Sequence, residues 1–202
     1  ALIGVLLAGA TVVTINASHG DMGLAADVAD LNLAAVVALE ADWKRTGFTD
    51  AAVGALGLVV GHAPPTVALR PGFEVPGPGP FRIEPDGIAV EMLTSGTTGP
   101  PKRIPLSYDA FGNTVAAAGA HYSAASDSAP RLRSGVAIVS SPLVHMSGLF
   151  RTLLNICEGR KIALLERFRV ADFIDLVQRH QPRAVSLVPS ALAMVLDADV
   201  DP

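Results

Sequence analysis

Short apolar runs alternate with stretches of helical length along this chain, and that alternation restricts it to folds in which strands and helices take turns. Strands are expected near 11–15, 34–39, 57–61, 88–93, 103–106, 135–140, 161–165 and 183–188. Helices are expected up to Gly9, over 24–32, within 42–56, and over 108–121, 147–157 and 170–180. Gly9 suits a helix C-cap because it tolerates positive φ, Ser107 is placed to cap the helix at 108, and Ser190 to cap one after 188. Parallel neighbours need a long crossover, usually a helix. The pattern therefore implies an α/β fold of mostly parallel sheets flanked by helices.

Residues 71–80, Pro-Gly-Phe-Glu-Val-Pro-Gly-Pro-Gly-Pro, suit neither a regular helix nor a central strand. They predict a boundary: an α/β lobe over 1–70, a Pro/Gly-rich link over 71–87 and a second α/β lobe over 88–202. A mobile polar stretch is expected at 123–134. The apolar opening, residues 1–15, has no basic leader and is too short to span a bilayer as one helix. It reads as a helix followed by a buried strand, and a start inside such a pair, without Met, implies missing upstream sequence. A net charge of -4 with scattered basic residues argues against a nucleic-acid partner. The single cysteine, Cys157, permits no internal disulfide and favours a reducing, cytoplasmic setting, with the thiol as a small apolar filler.

One segment is far more specific than the rest. After the apolar run 88–93 come Thr94, Ser95, Gly96, Thr97, Thr98, Gly99, Pro100, Pro101 and Lys102. Glycines let a backbone bring its N–H groups close to an anion, hydroxyls add donors, and a lysine adds mobile positive charge, which together suit a triphosphate. A polar surface turn would share the composition, but the strand-then-loop context favours phosphate. The common P-loop pattern fails, because two prolines separate Gly99 from Lys102 and Arg103 follows it. The run from Leu93 to Lys102 instead resembles the signature loop of the AMP-forming adenylating enzymes: acyl- and aryl-CoA synthetases, luciferases and peptide-synthetase adenylation domains. Glu91 departs from that pattern, which is apolar here. Either its side chain reaches solvent or a partner, or the strand is less buried.

Ser141-Pro142-Leu143-Val144-His145-Met146-Ser147-Gly148-Leu149 resembles the family's next motif, in the form carried by its CoA-ligase branch. The resemblance implies two subdomains of the adenylate-forming N-terminal domain and a carboxylic acid:CoA ligase acting on a fatty or aromatic acid. It implies ATP contacts from Thr94, Ser95, Gly96, Thr97, Thr98, Gly99 and Lys102. It further implies a gating, catalytic role for His145 and an acyl-pocket lining of His145, Met146, Ser147 and Gly148, with Gly148 leaving room for the acyl chain. The complete enzyme would use ATP, CoA and Mg2+, and no metal ligand is assigned within these residues. The family's adenine, ribose and catalytic-lysine segments would lie beyond Pro202, so this portion alone is expected to be inactive. Loading of a carrier protein, or a non-catalytic nucleotide-binding remnant, are the alternatives.

No competing site assembles. Asp21, Asp27 and Asp30 lie around a helix without accompanying His or Cys and read as solubilising or capping groups, while Trp43 and Phe48 read as packing residues. Ser140-Ser141 lacks the G-x-S-x-G elbow of a hydrolase.

Overall fold

A computed structural model describes residues 1–94, 102–122 and 132–198, excluding the side chains of 118–122. The chain divides into two compact units, Ala1–Pro105 and Leu106–Pro202.

The first unit begins with α1 (Leu2–Leu7) and β1 (Val12–Val13), joined through Gly9 at φ +72°. Next come α2 (Asp21–Ala29), β2 (Ala35–Leu39), the short helices α3 (Glu40–Trp43) and α4 (Phe48–Ala51), and β3 (Leu56–His62). β4 (Pro65–Leu69), β5 (Ile88–Leu93) and β6 (Arg103–Ser107) follow, the unit boundary falling inside β6. One sheet has the order β1-β5-β6, with Val12 beside Val90 and Val13 beside Glu91 in parallel. The other has the order β2-β3-β4, its first pair parallel and its second antiparallel. The sequence pattern did not show β4. Its start at Pro65 removes a ladder donor, which an edge strand tolerates, and all five residues are exposed, so no buried alternation marks it.

Trp43 organises the core beneath β2 and β3, together with Leu24, Val28, Val36, Phe48, Ala52 and Ala55. Phe48 meets its ring edge-on at 5.3 Å, Phe73 lies 5.3 Å away, the Arg70 guanidinium sits 5.7 Å from its centroid, and its indole N–H donates to Leu58 O at 3.2 Å. Trp43 and Phe48 are thus the packing residues expected.

The Pro/Gly-rich segment is fastened to this core, so the predicted boundary at 71–87 does not coincide with the observed division. Gly57 N donates to Phe73 O and Arg70 N to Gly57 O, both at 2.8 Å, while Gly77 N donates to Gly54 O at 2.8 Å and Arg82 N to Asn32 O at 2.9 Å. Gly57 permits the crossing, because a Cβ there would stand 2.6 Å from Phe73 Cβ and 2.9 Å from Arg70 Cβ. Proline and glycine forbid regular structure in this stretch, yet they leave its carbonyls and remaining N–H groups free to bond a neighbouring strand.

In the second unit, α5 (Tyr108–Tyr122) starts where Ser107 Oγ accepts from Ala110 N at 3.1 Å, as expected for a cap. β7 (Val136–Val139), α6 (Met146–Cys157), β8 (Lys161–Leu164), α7 (Val170–His180) and α8 (Pro189–Leu196) complete it. β7 and β8 pair in parallel, Val136 beside Lys161. Ile138, Leu165 and Phe173 form the core, with Phe168 and Phe173 rings 5.6 Å apart.

Three expectations need correction here. Residues 183–188 form no strand, since no described strand pairs with them despite their apolar character. Ser190 is not the cap of α8; Val188 holds that position and Pro189 opens the helix, where its missing N–H is no loss. Cys157 is exposed at the end of α6 rather than filling a core. The polar stretch at 123–134 lies outside the described residues up to 131.

Replacing Trp43 by Ala removes the ring that Phe48, Phe73 and Arg70 all contact. The expected loss is about 3–5 kcal/mol of unfolding free energy, measured by urea denaturation.

Candidate functional site

β5 is the middle strand of its sheet, and Ala89, Val90, Glu91 and Met92 are all buried in it. β-branched and apolar residues suit a strand covered on both faces, and the strand delivers the chain to Thr94 at a fixed point. Thr94 N donates to Lys102 O at 2.8 Å, Thr94 Oγ1 donates to the same carbonyl at 2.9 Å, and Lys102 N donates back to Thr94 Oγ1 at 3.3 Å. The loop is thereby closed at its neck. Ser95, Gly96, Thr97, Thr98 and Gly99 lie outside the described residues. A hydroxyl carries one proton, and that of Thr94 is engaged by Lys102 O, so its observed task is to shut the loop. The Lys102 side chain is exposed and makes no ion pair among the described residues.

Glu91, only 1% exposed, has partners rather than solvent, which decides between the two alternatives its sequence position left open. Arg82 Nη2 donates to its Oε2 at 2.7 Å, and Arg103 Nε lies 3.6 Å from its Oε1. Arg82 also pairs with Glu84. Arg103 donates from Nη1 to Thr14 O at 3.2 Å and from Nη2 to Asp27 Oδ1. Asp21 accepts from Arg45 Nε at 2.8 Å and from Thr46 N at 3.2 Å. Asp21 and Asp27 are therefore ion-pair partners that tie α2 to neighbouring segments, a tighter role than the solubilising or capping one expected.

This network was missed in the sequence, although its signal was present. A glutamate stood in an apolar strand, and an arginine stood directly after the loop lysine. Two unexplained charges of opposite sign, on strands flanking one loop, are the pattern of a buried pair.

Burial pushes the Glu91 carboxyl above its ordinary value of 4.5, and the neighbouring Glu84 carboxyl adds to this against the pull of Arg82 and Arg103. Glu84 moves the other way, lowered chiefly by its hydrogen bond from Arg82.

In the second unit, the motif around His145 lies between β7 and α6. His145 N donates to Pro142 O at 3.1 Å, and His145 O accepts from Leu149 N at 3.0 Å. His145 holds the N-cap position by its backbone, with φ -108° and ψ 147°, and makes no side-chain capping bond. His145, Met146 and Ser147 are exposed, whereas Gly148 and Leu149 are buried. A Cβ on Gly148 would stand 2.2 Å from Pro142 O and 2.4 Å from Ser141 O. The missing side chain at Gly148 thus makes room for the motif's own backbone.

A cavity of about 860 Å³ in the first unit is walled by apolar residues including Val5, Val12, Val36, Leu58 and Val67, and neither Thr94 nor Lys102 lines it. No helix among the described residues is long and apolar enough to cross a membrane.

The model of the AMP-binding enzyme family matches residues 1–202. The chain belongs to this family. The 2-succinylbenzoate–CoA ligase of Bacillus subtilis is 33% identical over 120 residues, covering 57% of this chain and 22% of that protein. The Bacillus velezensis enzyme of the same name is 35% identical over 116 residues, covering 55% and 21%. The chain thus matches about a fifth of the length of these curated relatives. Among solved structures, O-succinylbenzoate coenzyme A synthetase from Bacillus subtilis in complex with AMP superposes with a TM-score of 0.68 at 18% identity, covering 100% of this chain and 48% of that one. ATP-bound MatB from Rhodopseudomonas palustris gives 0.70 at 22% identity, covering 98% and 38%. These superpositions show that the α/β architecture is that of adenylate-forming enzymes.

Two outcomes are expected of this AMP-binding family member. A raised carboxyl pKa means that the folded chain holds the Glu91 proton more tightly than the unfolded chain. The destabilisation it brings is absent below 4.5 and grows as pH rises to the folded value. Glu84 has the opposite sign, contributing stability above 4.5 that is lost as pH falls. Denaturation series for wild type and Glu91→Gln, run from below 4.5 to neutrality, are expected to show the wild type losing stability relative to the variant as pH rises. Gly148→Ala is expected to lower stability by about 1–3 kcal/mol, read as a drop in thermal midpoint, because backbone must shift to admit the methyl group.

Proposed function

We propose that this chain is part of an AMP-forming carboxylic acid:CoA ligase and that the loop 94–102 holds the β- and γ-phosphates of ATP. The observation that carries the reading is the neck at Thr94 and Lys102: it fixes a hydroxyl- and glycine-rich loop at the end of buried β5 and leaves the Lys102 ammonium exposed. Serine and threonine hydroxyls and glycine N–H groups are donors, which suits phosphate oxygens. Ser95, Gly96, Thr97, Thr98 and Gly99 would supply such donors, and Lys102 would neutralise charge on the departing pyrophosphate. The donor set offers no carboxylate for Mg2+, so no residue of this loop is assigned to the ion, which would enter with the nucleotide.

In the reaction, a substrate carboxylate oxygen bonds to the α-phosphorus of ATP as the bond to pyrophosphate breaks, giving an acyl-adenylate. The thiol sulfur of CoA then attacks the acyl carbon, the thiol gives up its proton, and AMP departs. Stabilising charge on the leaving phosphates is a large part of such catalysis. His145, exposed at the start of α6, would act as the gate between nucleotide and acyl sites, with Met146 and Ser147 beside it. Gly148 would support that segment by its close packing. The relatives' name specifies an aromatic acid, so an aromatic carboxylate is favoured over a fatty one. The setting inferred from the lone cysteine is cytoplasmic.

The test is carboxylate-dependent exchange of labelled pyrophosphate into ATP by the complete protein, with aromatic and fatty acids compared and CoA thioester measured separately. Lys102→Ala is expected to lower exchange by about 10²-fold, the order seen when one charge-stabilising donor is removed. Exchange that ignores the carboxylate, or a Lys102→Ala variant with wild-type activity, would count against the reading. Thioester on a carrier protein but none on CoA would move the acceptor to the carrier.

A further inference from the structure

We infer that Arg103 is a positioning residue for the ATP loop, acting through a three-way grip on the elements around the loop's exit. This rests on the reading of 94–102 as a phosphate loop. Arg103 directly follows Lys102, whose backbone closes the neck with Thr94. From this one position its guanidinium reaches the carbonyl of Thr14 beyond β1, Asp27 on α2 and Glu91 on β5. Thr14 is itself bound to β5, its N donating to Glu91 O at 3.0 Å and its Oγ1 to the same oxygen at 3.2 Å. The strand leaving the loop is therefore fixed against the strand entering it, against the strand beyond that and against a helix.

The energetics favour a geometric role over simple stabilisation. Buried ions each lose several kcal/mol of hydration, by order of magnitude, and apolar residues of similar volume commonly hold a sheet as well or better. Among the described residues, Asp27 Oδ2 and Glu91 Oε1 are buried without a hydrogen bond, so the network is incompletely satisfied as well. What it supplies is direction. Two donors on a planar fork hydrogen-bond the Thr14 carbonyl and Asp27, while Nε stands at ion-pair distance, 3.6 Å, from Glu91 Oε1, an arrangement that neither an apolar side chain nor a lysine can reproduce. Arg82 provides an internal comparison, since it grips the same Glu91 carboxylate but lies in the segment before β5, away from the loop's exit.

The experiment measures ATP affinity of the complete protein by calorimetric titration, beside thermal unfolding, for Arg103→Lys, Arg103→Met and Arg82→Met. Arg103→Lys keeps the charge balance, so the chain folds, but it loses the fork. The dissociation constant for ATP is expected to rise about tenfold in both Arg103 variants, a change of about 1.4 kcal/mol. Arg82→Met is expected to lower the thermal midpoint with ATP affinity within about twofold of wild type, since it spares the loop's exit. The inference is overturned if Arg103→Lys binds ATP as wild type does, or if Arg82→Met weakens ATP binding as much as the Arg103 variants. Should Arg103→Met fail to fold, Arg103→Lys decides alone. A wild type that binds ATP but activates no acid would sink the ligase reading and leave this one standing, because the readout is binding. A wild type that binds no ATP would sink both.

Discussion

A carboxylate buried in the middle strand of a three-stranded sheet is the constraint around which the first unit is arranged. Glu91 is enclosed where an apolar side chain would serve better, so the chain must bring cations to it. It does so from both sides: Arg82 from the segment preceding β5 and Arg103 from the strand following the loop. Arg103 in turn needs Asp27 and the Thr14 carbonyl. One buried charge thus dictates the relative placement of β1, α2, β5 and β6, and with it that of the loop's two ends, Thr94 and Lys102.

The loop's neck adds a second level of order. Backbone and hydroxyl bonds between Thr94 and Lys102 close the loop at its neck. A neck held this way leaves the residues between free to be chosen for chemistry, which is where the glycines and hydroxyls lie. The second unit uses the same economy in another form. There Gly148 lets the backbone of Ser141 and Pro142 lie directly on α6, which sets where His145, Met146 and Ser147 emerge.

Much of this was legible in the residue order, for identifiable reasons. Strands such as 35–39 and 56–62 and helices such as 170–180 announced themselves by apolar periodicity, and Ser107 announced its cap. The loop and the His145 motif were legible because few chemistries call for those residue types in that order. Other features were hidden. β4 is an exposed edge opening on a proline, so it carries none of the usual alternation. The Pro/Gly-rich stretch read as a link, because composition reports what a segment cannot form and not what it can lie against. Residues 183–188 had a strand's composition without a partner, and a strand exists only as part of a ladder.

By itself, the sequence determined the α/β alternation, the membership in the AMP-binding enzyme family and the residue types available to meet a phosphate. These follow from local periodicity and from short contiguous motifs, which need no knowledge of distant neighbours. Only the tertiary structure decided that Glu91 is bonded through Oε2 by Arg82 and approached by Arg103, that the bare Cα of Gly148 admits the backbone of its own motif, and that Thr94 spends its hydroxyl on closing the neck. Each of these depends on which residues are within a few ångströms after folding. Pairing energies and steric contacts fall off over that distance, whereas the separations along the chain run to as many as 89 residues between Thr14 and Arg103.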